Sequence, residues 1–355
     1  HRTGLYPIGD LPAIPGMEGA GRVESVGSGV SEVAEGNRVA YAGMPPGAYA
    51  ERRRIPAHRL VKLPDAIPAP QAAAMMLQGM TARYLLKGCT TVQAGQTILL
   101  HAAAGGVGLI ASQWARHLGA TVIGTVGTEA KAELAKAHGC DHTILYGEEN
   151  FVDRVRELTD GRGVDVVYDS VGQATFLSSL DCLRPMGMMV SFGQASGPVA
   201  PIDPGLLAAK GSLFLTRPSL MAYTAARNDL LVHAEDLFDV VLKGAVTVDI
   251  RQTYPLAQAA EAHRDLRYKP IPDFSFSTGS TSAPVTYTEM LVAAKYYPLV
   301  FPKQGTPVVL LGFEGRNAFV DDQGQWTVPY MPQHVGRYPF ILGNSDKPGE
   351  MMVLV

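Results

Sequence analysis

The residues best suited to chemistry crowd one short stretch. An apolar run, Thr97 to His101, leads into Ala102-Ala103-Ala104-Gly105-Gly106-Val107-Gly108, and an amphipathic segment follows as far as Gly119. A short apolar run of this kind suits a strand buried on both faces of a parallel sheet, and Gly119 suits the position just past a helix end. Strand, glycine turn and helix in that order form the dinucleotide fingerprint. Gly105 lets the backbone approach a pyrophosphate, and Gly108 lets helix and strand pack closely. The helix N-terminus then offers free N–H groups to an anion. Ala103 stands where the first glycine of the fingerprint is usual. Further along, Thr128 is placed to cap the segment TEAKAELAKAHG, with Lys131 in its first turn, and residues 120–128 contain no acid. An acid near the end of this strand would hold ribose hydroxyls. A lysine in a first helical turn opposes the helix dipole. A bound 2′-phosphate accounts for it, and the alternative is a solvated surface lysine. Ser/His/Asp sets and paired carboxylates are not apparent.

These residues need a sheet to position them. From about 78 to 222 strand and helix patterns alternate, which implies a doubly wound parallel sheet. ATVIGTV (Ala120 to Val126), HTILY (His142 to Tyr146), VDVVYDSVG (Val164 to Gly172) and GMMVSFG (Gly187 to Gly193) supply strands two to five. Residues 1 to about 77 read as β-rich, with strands expected in IPGMEGAGRVESVGSGV (Ile14 to Val30, two strands), GNRVAYAG, GAYAERRRI (together Gly36 to Ile55) and HRLVKLP (His58 to Pro64). The arginines at 52 to 54 read as a charged strand edge that discourages pairing. Residues 223 to 266 return to helix, a strand VDIRQTYP and a helix PLAQAAEAHRDL.

The chain has 355 residues, 46% apolar and 18% charged, with a net charge of −3. That places it among soluble globular proteins of two or three domains and gives no reason to propose nucleic acid. A run of 18 uncharged apolar residues, as a membrane span needs, is absent from the sequence. Cys89, Cys140 and Cys182 lie far apart and form no CxxC. They read as buried small hydrophobes in a reducing, cytoplasmic setting.

Residues 1 to about 266 resemble the zinc-independent quinone oxidoreductase (zeta-crystallin-like) branch of the medium-chain dehydrogenase/reductases. The matching stretches are RTGLYP (Arg2 to Pro7), GMEGAGRVESVG (Gly16 to Gly27), GAYAE (Gly47 to Glu51), GMTARYLL (Gly79 to Leu86), HAAAGGVG (His101 to Gly108), YDSVG (Tyr168 to Gly172), VSFG (Val190 to Gly193) and LTRPSL (Leu215 to Leu220). The resemblance implies a Rossmann-type domain over 78–222 and a partial GroES-like catalytic domain from 1–77 and 223–266. It implies NADPH as cofactor, a quinone or enone as acceptor, and a homodimer. Its cofactor set, carried onto this chain, is Thr81, Ala104, Gly105, Gly106, Val107, Gly124, Thr125, Thr128, Lys131, Tyr146, Ser170, Phe192 and Gly193. Tyr146 would flank the adenosine phosphate. Arg217 would place a charge near the substrate, or act as a structural residue. The alternative reading is an alkenal or enoyl-thioester reductase of the same superfamily, and a non-catalytic NADPH-binding protein is the reading from another class.

Met17 stands where zinc enzymes of the superfamily have a ligand histidine, and a thioether is a poor zinc ligand. No metal site is expected.

Past Leu266 the composition shifts to aromatics and prolines. HRDLRYKP (His263 to Pro270), YYPLVF (Tyr296 to Phe301), PVVLLGFEGRNAFVDDQGQW (Pro307 to Trp326) and YMPQHVGRYPFIL (Tyr330 to Leu342) resemble the SapC family, so 267–355 is expected to be a β-rich SapC-like segment with a hairpin turn at Asp321 to Gly324. That family is linked to export, and a SapC-like export accessory is a further reading. Related reductases carry an N-F-x-D-type segment ahead of the RTGLYP match, lining the nicotinamide pocket. Only His1 precedes Arg2 here, so the sequence predicts an N-terminally truncated reductase joined near HRDL to the front of a SapC-like protein, with cofactor binding exceeding turnover. Elemental analysis of the purified chain is expected to find no stoichiometric zinc, and one zinc per chain would refute the reading of Met17.

Overall fold

The computed structural model describes residues 13–265 and seven short strands beyond them. The described residues divide into two compact units, one up to Leu256 and the other from Ala257.

The first unit opens with a small antiparallel sheet of β1 (Glu18–Arg22), β2 (Arg38–Ala42) and β3 (Val61–Lys62), in the order β1-β2-β3. The long helix α1 (Ala69–Tyr84) leads to the parallel sheet. That sheet is built from β4 (Thr97–Leu100), α2 (Gly106–His117), β5 (Thr121–Val126), α3 (Glu129–Ala137), β6 (His142–Leu145), α4 (Phe151–Leu158), β7 (Val164–Asp169), α5 (Phe176–Asp181), β8 (Leu183–Ser191), α6 (Gly205–Ala209) and β9 (Phe214–Thr216). Two further helices, α7 (Leu220–Tyr223) and α8 (Arg227–Leu242), close the unit against α1. The sheet order is β6-β5-β4-β7-β8-β9, and every pairing in it is parallel. The chain winds outward from β4 to β6 and returns to β7 on the other side of β4. The switch point is therefore the gap beyond β4 and β7, where open α/β sheets place their ligands.

The central strands are short and apolar because both faces are covered. Ile98, Leu99, Leu100, Val122, Ile123, Val167, Met189 and Val190 are fully buried, and Trp114 of α2 lies in the same core as Ile98 and Val122. α2 ends as Gly119 predicts. Gly119 takes φ +85°, its N–H bonds Arg116 O, and Ala120 N–H bonds Ala115 O. That pair of bonds satisfies the last carbonyls of the helix in a Schellman arrangement.

Several expectations are corrected. Residues 47–55 form no strand, and Arg53 turns back instead to donate to Pro45 O and Pro46 O, with its guanidinium 4.6 Å from the Tyr41 ring centroid. Of the three arginines, Arg52 alone is seen in an exposed ion pair, with Glu24. After β1 the second strand expected before Val30 does not form. Residues 248–255 also form no strand, because this segment is held by side chains rather than by a ladder. Gln113 exchanges hydrogen bonds with Thr247, and His138 Nε2 lies 3.0 Å from Asp249 Oδ2. The parallel sheet has a sixth strand, β9, and β8 starts four residues earlier than expected.

The second unit contains α9 (Ala259–Asp265) and antiparallel pairings among β10 (Ser282–Pro284), β11 (Leu299–Val300), β12 (Val308–Leu310), β13 (Gly312–Phe313), β14 (Arg316–Asn317), β15 (Ile341–Asn344) and β16 (Met351–Leu354). The hairpin turn expected at Asp321 to Gly324 lies outside the described residues.

At the edge of the sheet opposite the switch point, Asp165 is 7% exposed at the start of β7. It accepts from Arg184 Nε at 2.6 Å, from Arg162 and from Thr97 N–H. Burial alone would raise its carboxyl, but the two guanidinium groups and the N–H outweigh it and hold Asp165 below the ordinary carboxylate range. A depressed carboxyl contributes stability above its unfolded-state value and loses it as pH falls through the folded-state value. Asp165→Asn is expected to cost about 2–3 kcal/mol at pH 7, and progressively less at an acidic pH below the ordinary carboxylate range. Denaturant titrations at the two pH values check this, and an equal cost at both would mean the charge is not what matters.

Candidate functional site

The site forms where the parallel strands end. β4 passes into the turn 101–105, and His101 N–H continues the sheet by bonding Tyr168 O at 3.0 Å. Ala102 takes φ +53°, a left-handed value that non-glycine residues rarely adopt. Ala103 N–H reaches across to Thr125 O, and Gly105 N–H closes the turn on Ala102 O. At Gly108 a Cβ would lie 2.5 Å from the carbonyl oxygens of both Ala102 and Ala103. No side chain fits there, because the obstacle is backbone.

α2 starts behind Gly105 with no side-chain cap, whereas Thr128, Asn150 and Ser219 cap α3, α4 and α7. The first N–H groups of a helix have no carbonyl within it. Those of α2 therefore face the crevice beside the exposed Gly105 and Gly106. Pyrophosphate suits this end of the helix by both charge and hydrogen bonding. The cradle fits such a group because Gly105 and Gly106 present backbone alone.

Around that turn the structure gathers a second group of expected residues. Ser170, half-buried, follows β7, and Phe192 and Gly193 follow β8. Phe192 N–H and Gly193 N–H both bond Asp169 O, and Ala195 N–H bonds Ser170 O. A Cβ at Gly193 would collide with the backbone of Ser170. Asp169 itself is fully buried; its Oδ1 accepts from Val171 and Gly172 N–H and its Oδ2 from Thr175 Oγ1. The carboxylate thus fixes the loop that borders the crevice. Arg217, exposed just past β9, donates through Nη1 to Ser191 O at 2.9 Å.

The third group lies past β5 and β6. Thr128 Oγ1 caps α3 by accepting Lys131 N–H, and the Lys131 side chain is exposed. Tyr146 is 59% exposed, with its hydroxyl beside Gly127; a Cβ at Gly127 would lie 2.5 Å from it. Tyr146 and Gly127 thus lie side by side past the ends of β6 and β5, and Lys131 stands in the first turn of α3.

Three expected residues sit inside the protein. Gly124 packs between Ala103 and Cys140. Thr125 turns its hydroxyl toward His101, and Thr81 is buried in α1 with its hydroxyl on Leu77 O. Sequence reasoning passed over Glu18 and Gln78. Glu18 of β1 accepts Leu77 N–H at 2.9 Å, which joins the small sheet to α1. Burial pushes its carboxyl up, and the Leu77 N–H and the Gln78 side chain pull it back in part. Gln78 packs against Gly106, and its Oε1 is buried without a partner. A pattern search has no signal for such a pair, since the two residues are 60 positions apart in the chain.

The thiols are chemically quiet. Burial pushes Cys89 and Cys140 up to about 11 and Cys182 to about 12. Among the described residues no group of three or more His, Cys, Asp or Glu side chains is placed to hold a metal ion, and no helix is long and apolar enough to cross a membrane.

A doubly wound sheet with a glycine turn at its switch point, preceded by a small antiparallel sheet, is the architecture of a medium-chain dehydrogenase/reductase. Family comparison agrees. Residues 1–65 match the alcohol dehydrogenase GroES-like domain, 106–227 the zinc-binding dehydrogenase family and 259–355 the SapC family. The chain is 51% identical over 266 residues to a quinone oxidoreductase of Pseudomonas aeruginosa, covering 75% of this chain and 82% of that one. It is 47% identical over 273 residues to a 2-haloacrylate reductase of a Burkholderia species, covering 74% and 81%. The crystal structure of Escherichia coli quinone oxidoreductase complexed with NADPH is 48% identical and superposes with a TM-score of 0.72 over 75% of this chain and 82% of that one. The chain belongs to the quinone oxidoreductase family of the medium-chain dehydrogenase/reductases.

The close approach at Gly193 makes a direct test of the crevice wall. Gly193→Ala is expected to separate the ends of β7 and β8 at a cost of about 1–3 kcal/mol, read by denaturation. A neutral effect would mean the two loops are free to move apart.

Proposed function

We propose that this chain binds NADPH along the C-terminal edge of the parallel sheet and reduces a quinone or a conjugated enone without zinc. The observation that carries the reading is the uncapped N-terminus of α2 behind Gly105 and Gly106, set at the switch point between β4 and β7. The relative solved as an NADPH complex supports the choice of cofactor.

NADPH, when bound, supplies the hydride. The chain's own groups bind and orient. The N–H groups opening α2 receive the pyrophosphate beside Ala104 and Val107. Lys131 and the N–H groups behind Thr128 hold the 2′-phosphate, with Tyr146 flanking the adenosine. Ser170, Phe192 and Gly193 border the nicotinamide side, and Arg217 places a guanidinium at that end. The buried Gly124, Thr125 and Thr81 support these surfaces from behind. Zinc independence is supported by Met17 in the place of a ligand histidine. Similarity to a 2-haloacrylate reductase favours activated alkenes as a second acceptor class, and parallel assays with a quinone and a conjugated alkene separate the two. We also place the protein in the cytoplasm as a homodimer. The free cysteines favour the first, and the exposed Phe214 and Leu215 on edge strand β9 favour the second.

Losing one charge-assisted contact costs about 1.5–3 kcal/mol. Lys131→Ala is therefore expected to weaken NADPH binding roughly ten- to hundredfold and to leave NADH binding nearly unchanged. Fluorescence titration with each cofactor reads both numbers. An equal loss for the two would make Lys131 a surface residue and remove the 2′-phosphate site.

A further inference from the structure

A buried polar chain adjoins the glycine turn, and the binding roles above leave two of its members, His101 and Ser179, unused. His101 is 2% exposed at the end of β4. Its Nδ1 lies 2.9 Å from Thr125 Oγ1 and its Nε2 2.9 Å from Ser179 Oγ. The Ser179 hydroxyl donates its proton to Thr175 O at 2.8 Å. It therefore accepts from His101, and the ring carries its proton on Nε2. Thr125 then donates its hydroxyl to the bare Nδ1. Next to Ser179, Thr175 Oγ1 donates to Asp169 Oδ2. The donation runs from Thr125 through His101 to Ser179. An imidazolium would donate at both nitrogens and require the Thr125 hydroxyl to turn its proton elsewhere. Burial keeps the ring below the ordinary histidine range, against the pull of the Asp169 charge. Phe151 closes the remaining side edge-on, with ring centroids 5.1 Å apart.

The turn above needs such support. Ala102, the next residue, is left-handed, and strained positions persist where their surroundings over-determine them. Backbone bonds tie this turn to β7 through His101 N–H and to β5 through Ala103 N–H. The imidazole spans the same gap from below, joining β4 to β5 and to α5. It therefore ties the strand that leads into Ala102 and Ala103 to the strand that leads into Gly127 and Thr128, and to α5.

We propose that His101, with its proton on Nε2, is a positioning residue for the dinucleotide. It holds the glycine turn and the end of β5 in register, so that cofactor affinity depends on a side chain that does not touch the cofactor. The proposal rests on the NADPH reading of the crevice.

The test uses the full chain with His101→Phe, His101→Gln and Ser179→Ala. Phe keeps the bulk and removes both hydrogen bonds. Gln keeps one acceptor and one donor. Ser179→Ala leaves the turn untouched and strips the ring of one partner. NADPH affinity is read by fluorescence, kcat and KM by steady-state assay, the fold by its melting midpoint, and the ring proton by 15N shifts of the free protein.

Expected are an NADPH Kd raised about tenfold or more in the Phe variant, a smaller rise in Ser179→Ala, and substantial recovery in the Gln variant. KM for NADPH should rise while kcat stays within about twofold. A merely structural histidine would lower the melting midpoint and the active fraction without moving Kd or KM. If His101→Phe does not fold, the other two variants carry the test. Unchanged affinity in the variants, Gln no better than Phe, or a proton on Nδ1 would overturn the proposal while wild-type NADPH binding stands. Absence of NADPH binding by the wild-type chain would instead overturn the reading of the crevice, and the proposal with it.

Discussion

The close approach of α2 to the end of β4 governs the rest of the structure. With the position of a Cβ at Gly108 only 2.5 Å from two carbonyl oxygens, the helix can begin where it does only if that residue is glycine. The approach fixes the helix axis against the sheet and brings Trp114, Ile110 and Ala111 onto its buried face. It also turns the unpaired N–H groups of the first turn outward over the switch point. A helix displaced by even one methyl group would move those donors relative to the loops after β7 and β8, whose spacing is set independently by Gly193 against Ser170.

Buried charge is handled differently at the two ends of β7. Asp165, at the start, is neutralised by two arginines and serves the architecture of the sheet. Asp169, at the end, has no guanidinium and is satisfied by two N–H groups and a hydroxyl. An ion pair holds long side chains at a rim where solvent reaches them, whereas N–H groups fix a tight loop without adding bulk. The crevice edge accordingly keeps its charge compact and its backbone exposed.

The small sheet is joined to this system by short-range contacts of α1. Leu77 N–H meets Glu18, Gln78 packs against Gly106, and Gly79 is so close to Leu237 of α8 that a Cβ would lie 2.5 Å from it. One helix therefore touches the small sheet, the glycine turn and the closing helix. Through Leu77 and Gln78, neighbours on that helix, the strand that carries Glu18 and the glycine turn share one support.

Local pattern determined the alternation of strands and helices, the glycine turn, the Thr128 cap, the Gly119 stop and the core strands. In each case the decisive interaction spans a few residues: a hydrophobic period, a cap, or a backbone conformation open to glycine. The tertiary structure decided the segments whose partners are distant. Residues 47–55 and 248–255 have strand-like composition, yet Tyr41 captures Arg53 from one, and Gln113 and His138 hold the other. β9 is a strand because β8 offers it an edge. His101 reads in sequence as the end of an apolar run; only the fold brings Thr125, 24 residues on, and Ser179, 78 residues on, to its two nitrogens. Hydrogen-bond direction in a buried network depends on every neighbour at once, and that information is absent from any window of sequence.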